Sequence, residues 1–321
     1  MSRATGVSGA WSGAAALLLA FGATNASAAP HTPRVDRVER VSTAADGSQS
    51  DGESMSAAIS ADGHRVAFTS TAPSFGCAHF TPCLLVKDLP TGEVTRIDVG
   101  SGNTYGYPLP STDGSRIAFS AGTRFMAPYL YDRATGRSER LWPENPPGFN
   151  ELGRVQSISP DGTHVAYTIG NRNGPENYRL LYVRDTATGS DELISPAEEG
   201  DKVAPSISAD GREVAFQQGR NIHVRDLDTG ATTRVRGTEP SLSGTGTHLA
   251  YTSAGTVYLL ELATGERQLI SVDRWGGRND LPARNPSANS DGTVVAFESA
   301  SSDLVKGDTN GVTDVFLRTV Q

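Results

Sequence analysis

The chain has 321 residues, with 28 Lys plus Arg against 36 Asp plus Glu and a formal net charge of −8. With 37% apolar and 20% charged residues it is too hydrophobic for a disordered chain and too polar for a membrane protein; its 35 glycines lack the three-residue period of collagen. The acidic balance disfavours a nucleic-acid backbone or an anionic membrane as the main partner, because both attract basic surfaces.

Residues 1–28 read as a secretory signal peptide: Arg3 is the positive n-region, Ala14 to Phe21 the apolar stretch, and Ala26-Ser27-Ala28 the small-residue cleavage pattern. No later stretch approaches the ~18 consecutive apolar residues of a membrane helix. The expectation is a protein secreted or held in the periplasm or cell envelope, without membrane insertion. Next comes a short β-rich run, RVERVS at 37–42. From there on two signatures alternate.

The first is a tight turn followed by a strand. It occurs as Asp62-Gly63 before RVAF, Asp113-Gly114 before RIAF, Asp161-Gly162 before HVAY, Asp210-Gly211 before EVAF, Thr245-Gly246 before HLAY and Asp291-Gly292 before VVAF. Asp-Gly between apolar runs is a hairpin signal, because glycine accepts positive φ without a Cβ clash. The glycines are 51, 48, 49, 35 and 46 residues apart, a period that suits a four-stranded propeller blade. The second signature is a strand ending in a Thr-Gly turn: LLVKDLPTG, YLYDRATG, LLYVRDTATG, NIHVRDLDTG and TVYLLELATG. Each is followed by another β-rich run.

Each unit therefore reads strand, Asp-Gly turn, strand, variable loop, strand, Thr-Gly turn, strand. The sixth unit ends at DVFLRTVQ, one strand short, and the spare strand is at 37–42. The predicted fold is all-β: a six-bladed propeller of four-stranded antiparallel blades over residues 34–321. The N-terminal strand joins the last blade and closes the ring, which removes exposed sheet edges. In VAF, Val66 and Phe68 point to one side and Ala67 to the other, so both faces should be buried between stacked blades.

The S-x-D-G-x-x-[VI]-A-[FY] and D-x-x-T-G pair resembles the WD-like β-propeller repeat of TolB-type proteins over essentially the whole chain after residue 33. The resemblance implies an exported propeller that serves as a protein-interaction platform. It says little about function, since propellers host binding scaffolds, lectins, lyases and peptidase accessory domains. TolB itself has an additional α/β domain, for which residues 34–321 leave no room, so a role in the Tol system does not carry over.

Antiparallel connectivity puts the Asp-Gly and Thr-Gly turns on one face of the disc and the long, irregular loops on the other. Variable loops on a rigid scaffold usually carry function, so that face and the channel mouth are the expected site. Three segments there, 43–54, 273–283 and 300–314, hold eight acids (among them Asp46, Asp51, Asp273, Asp280, Asp308 and Asp314) against three bases. Trp275 adds a surface for stacking on a peptide or a sugar, as does Trp142. The functional reading is an acidic sector that binds a cation or a basic partner; the plain alternative is a solvated surface. Asp308, Asn310 and Asp314 follow a spacing partly like that of calcium loops, without a terminal bidentate Glu. Calcium is the one candidate cofactor, set against a turn held by Asp and Asn side chains. Cys77 and Cys83 are the only cysteines; the exported context favours a disulfide, and the spacing is not that of a C-x-x-C redox pair.

No G-x-S-x-G elbow, H-E-x-x-H or P-loop occurs in the mature chain, and no catalytic residue is assigned. The per-blade Asp62, Asp113, Asp161, Asp210 and Asp291 read as turn residues. The expected function is a non-catalytic binding module for another protein or a glycan, in a monomer. The alternatives are a carbohydrate- or peptide-processing enzyme with its site at the channel mouth, or a calcium-dependent lectin-like binder.

Overall fold

A computed structural model describes residues 38–78, 81–98, 104–123, 125–144, 152–159, 161–170, 179–197, 206–210, 212–226 and 228–320. All of them belong to the compact unit Val35–Gln321. The signal-peptide reading, His79 and parts of the loops 143–153 and 170–178 lie outside the described residues.

The Asp-Gly turn shows how the sequence builds each blade. Ser60 Oγ donates to Asp62 Oδ1, His64 N donates to the same oxygen at 2.9 Å, and Arg65 N donates to Ser60 Oγ at 3.0 Å. Gly63 takes φ +73°, which a side chain would resist. The same bonds recur at Ser111/Asp113, Ser159/Asp161 and Ser208/Asp210. Thr245 substitutes a hydroxyl for the carboxylate and Asn289 an amide for the serine. The one-per-blade aspartates are structural, as their recurrence implies.

Strands follow in fours. Blade 1 holds β2 (Ser54–Ile59), β3 (Arg65–Ser70), β4 (Cys83–Asp88) and β5 (Val94–Ile97). Blade 2 holds β6 (Thr104–Tyr105) and β7 (Leu109–Pro110), which together form its broken inner strand, then β8 (Arg116–Gly122), β9 (Ala127–Asp132) and β10 (Arg137–Arg140). Blade 3 is β11 (Leu152–Ile158), β12 (His164–Gly170), β13 (Arg179–Asp185) and β14 (Asp191–Ala197). Blade 4 is β15 (Ser206–Ile207), β16 (Glu213–Gln218), β17 (Asn221–Asp226) and β18 (Thr232–Arg236). Blade 5 is β19 (Thr238–Leu242), β20 (His248–Ser253), β21 (Thr256–Glu261) and β22 (Arg267–Leu269). Blade 6 is β23 (Ala283–Ala288), β24 (Val294–Ser299), β25 (Asp314–Thr319) and, from the other end of the chain, β1 (Val38–Arg40).

Closure is antiparallel, with Val38 opposite Arg318 and Arg40 opposite Phe316. Lys87 of blade 1 secures it: its buried Nζ donates to the carbonyls of Val41 at 3.1 Å and Thr43 at 2.9 Å. On the turn face, Ser290 N of blade 6 donates to Ala61 O of blade 1 at 2.8 Å.

Blades stack by matching a small residue to a large one. Ala67 shares a core with Phe119, Ala118 with Tyr167, Ala215 with Tyr251, Ala250 with Phe297 and Ala296 with Phe68. The alanine of each such blade thus receives the aromatic ring of the next, and the last pair joins blade 6 to blade 1. Aromatics on both facing sheets would overfill the gap, and alanines on both would leave a void.

Candidate functional site: the loop face and the channel mouth

The loop face carries the predicted sector, divided into two groups. In the first, the loops before β2 and before β25 meet. Asp314 is fully buried, its carboxylate accepting from Ser42 Oγ and from Asn310 Nδ2 at 3.0 Å, with Arg40 Nη1 3.6 Å away. Asp308, whose side chain is 4% exposed, accepts from Gln49 Nε2 at 2.9 Å and lies 3.7 Å from Arg40 Nη1. In the second group, Ser301 Oγ donates to Asp303 Oδ1 at 2.6 Å and also reaches Asp280, while Asp280 N donates to Asp303 Oδ2 at 3.1 Å.

The other predicted residues shape their own loops. Asp46 accepts from Ser48 N at 2.9 Å and from Ser48 Oγ, and these bonds lower its pKa. Asp51 accepts from Ser74 N at 2.9 Å. Asp273 accepts from the backbone N–H groups of Trp275 at 2.8 Å and Gly277 at 2.7 Å, and this turn sends Trp275 into solvent. Trp275 is 71% exposed, with the Arg274 guanidinium 4.1 Å over its ring, and Leu281 nearby is 46% exposed. Trp142 instead packs on the core between blades 2 and 3. The solvent-facing part of the sector thus holds fewer acids than its residue count suggests, because Asp308 and Asp314 are withdrawn from solvent beside Arg40.

Among the described residues no group of three or more His, Cys, Asp or Glu is placed to hold a metal ion. Asp308 Oδ1 meets Gln49 and Arg40, and the two oxygens of Asp314 meet Ser42, the Asn310 amide and Arg40. The sulfurs of Cys77 and Cys83 are bonded as a disulfide. Of the histidines, His164 and His248 sit equivalently beside Thr163 and Thr247, and His223 stacks on Phe216 at 5.3 Å.

The channel mouth holds a constellation that the motif reading did not single out. Innermost strands enter from the loop face, and β2, β19 and β23 each bulge there, placing Ser56, Glu239 and Asn285 at φ +57°, +56° and +51°. All three stand six residues before the turn residue of their blade. Non-glycine residues at positive φ persist only where their surroundings impose it. Here the imposition is a set of bonds between blades. Glu298 Oε2 accepts from Ser56 N at 2.6 Å, Gln217 Oε1 from Glu239 N at 2.9 Å, and Glu239 Oε2 from Asn285 N at 2.9 Å.

Glu298 is 2% exposed and also accepts from Arg284 Nε at 2.8 Å and from Asn285 Nδ2. Burial raises its pKa against those donors. Tyr107 of blade 2 hydrogen bonds Asn285 of blade 6. Its ring is open to the mouth (59% exposed), while enclosure of its hydroxyl and the nearby Glu298 and Glu239 raise the phenol's pKa. A phenol, two carboxylates, an amide and a guanidinium therefore converge. Their signal in the sequence is departure from the repeat: where the other blades have Thr69, Ser120, Thr168, Gln217 and Thr252 after the aromatic residue, blade 6 has Glu298.

No protein-family model and no curated protein matches the chain. Solved structures do. TolB from Acinetobacter baumannii superimposes with a TM-score of 0.50 at 20% identity, over 75% of this chain and 58% of that one. A putative TolB from Agrobacterium tumefaciens gives 0.50 at 18% identity, over 84% and 91% of the two chains. An oligogalacturonate lyase in complex with manganese gives 0.61 at 14% identity, over 88% and 93%. The chain thus spans less than two thirds of the Acinetobacter protein, and identities this low establish the TolB-type six-bladed propeller fold.

Proposed function

We propose that this protein is an exported, non-catalytic binding module whose loop face engages a partner protein carrying a basic patch. The observation that carries this reading is Trp275, 71% exposed on the loop that also holds the exposed Leu281 and the carboxylates of Asp273 and Asp280. Tryptophan is among the residues most often found as the energetic centre of an interface, and the rim around such a centre is polar. Export is supported by the signal-like residues 1–28, the Cys77–Cys83 disulfide and the TolB-like fold.

The test is affinity capture from the native host's extracellular and envelope fractions, with the mature chain as bait and Trp275→Ala as control. Asp280 and Asp308 are poor controls, because they hold their own loops together. A saturable partner should be retained by the parent and weakened about tenfold or more by Trp275→Ala, as expected for an interface anchor. Retention should also fall with salt. Equal retention by both proteins would remove this face from the reading.

A second reading, a carbohydrate- or peptide-processing enzyme, is favoured by the convergence of Glu239, Glu298 and Tyr107 at the channel mouth and by a fold shared with an oligogalacturonate lyase. Cleavage of a polysaccharide or peptide by the parent, abolished in Glu239→Gln, would establish it. No product from a broad substrate panel would set it aside.

A further inference from the structure

Backbone strain gathers at the channel mouth. Among the described residues four that are not glycine take positive φ. Ala254 does so beside Gly255 in the two-residue turn between β20 and β21, where such angles are usual. The other three are Ser56, Glu239 and Asn285, all at the mouth. Imposed strain of this kind clusters at sites that hold a ligand.

Asn285 is the hub of the mouth. Its backbone N–H donates to Glu239 Oε2 at 2.9 Å, its amide nitrogen donates to Glu298, and Tyr107 hydrogen bonds to it. One residue thus gathers two carboxylates and a phenol, and Arg284, its neighbour in β23, bonds Glu298. Some of these polar atoms are spent and others spare. Both oxygens of Glu298 are filled, Oε2 by Ser56 N and Oε1 by Arg284 and Asn285. Glu239 Oε2 accepts from Asn285 N and from Thr252 Oγ1 at 2.7 Å, whereas Oε1 has no partner among the described residues and is open to solvent. Arg284, its side chain 53% exposed, bonds through Nε and keeps Nη1 and Nη2 spare among the described residues. The ring of Tyr107 stands open to solvent.

The spare groups are therefore one acceptor, a pair of donors and an aromatic face. Their charges select the ligand. Glu239 meets only neutral donors, so an anion would face a carboxylate that no cation covers; a cation would face the outer end of Arg284. A neutral polyol avoids both penalties. Each hydroxyl can donate to Glu239 Oε1 or accept from Arg284, and the C–H face of a sugar ring can lie on the phenol.

We propose that the channel mouth binds a neutral saccharide, stacked on Tyr107 and hydrogen bonded by Glu239 and Arg284. The proposal rests on the second reading above for its place and deepens it by naming the ligand class; it requires binding and no cleavage.

The mature chain would be titrated by calorimetry with maltotriose, cellotriose, mannotriose and tri-N-acetylchitotriose, and with trigalacturonate as the acidic counterpart. Reaction products would be followed separately by chromatography. The expected result is saturable binding of at least one neutral trisaccharide below about 10 mM, with trigalacturonate about tenfold weaker. Tyr107→Ala removes an exposed ring, so its melting temperature should stay unchanged while binding weakens about tenfold; Tyr107→Phe keeps the ring and should bind within about threefold of the parent. Binding without product supports the site and sets aside only the enzymatic reading. Absence of saturable binding by every neutral trisaccharide, a preference for trigalacturonate, or unchanged affinity in Tyr107→Ala would each overturn the proposal.

Discussion

Asp161 illustrates how one side chain can be read at residue scale. It accepts from Ser159 Oγ, Thr163 N and Thr163 Oγ1, and those bonds lower its pKa from 3.8 to about 2. A carboxyl held down in the folded state stabilises it above the unfolded value, and that stability is lost as pH falls through the folded one. In acid titrations the parent should lose its advantage over Asp161→Ala between about pH 4 and pH 2, with thermal melts as the readout. Asp161→Thr should be milder than Asp161→Ala, because blade 5 makes the same turn with Thr245. Glu298 behaves in the opposite sense. Burial, opposed by Ser56, Asn285 and Arg284, raises its pKa above 4.5. The fold holds its proton more tightly, so the stability from this group is present below 4.5 and lost as pH rises through the folded value. Relative to Glu298→Gln, the parent should melt progressively lower as pH rises from 4.5 towards neutrality. A parent that gained instead would show the Arg284 ion pair to be dominant.

At the scale of elements, the closing strand is a short join. β1 has three residues and pairs on one side only, with β25. Its hold on the ring depends on Lys87, whose pKa is lowered by burial and whose ammonium donates to two carbonyls and a hydroxyl. Lys87→Met would leave the carbonyls of Val41 and Thr43 without that donor, at about 1–3 kcal/mol. Hydrogen exchange at the Val41 amide, bonded to Val315 O at 2.8 Å, should then accelerate more than exchange within β20 or β24. Uniform acceleration would mean that the ring opens as one unit. The reading of 37–42 as the missing strand followed from counting turns and from the likeness of RVERVS to SERLWP and RQLISV. The blade-2 inner strand was less legible: β6 and β7 are short pieces separated by Gly106, Tyr107 and Pro108. Proline cannot donate to the ladder, and the break releases Tyr107 towards the mouth.

For the whole molecule, closure makes the blades interdependent while the disulfide acts locally. Cys77 and Cys83 are buried beside Phe68 and Leu85 and close a loop of about seven residues, worth about 2 kcal/mol by loop entropy. The Cys77→Ser/Cys83→Ser variant should stay cooperative and melt about 3 °C lower. Loss of cooperativity would make the disulfide part of the closure itself.

Local chemistry determined the blades. A positive-φ glycine, a turn carboxylate and an alternating V-A-F strand each act over a few neighbouring residues, so the linear order contains them. The strand count, the closing strand, the two faces of the disc and the structural role of the repeated aspartates followed from that order. Tertiary structure decided the functional surface. Which acids face solvent depends on burial, and Arg40, which lies far along the chain from Asp308 and Asp314, sits beside both. The mouth is built from Tyr107, Glu239, Asn285 and Glu298, residues of three blades. Their meeting requires the ring, because hydrogen bonds between blades have no counterpart in local sequence, where only the departure of one blade from its repeat marks them.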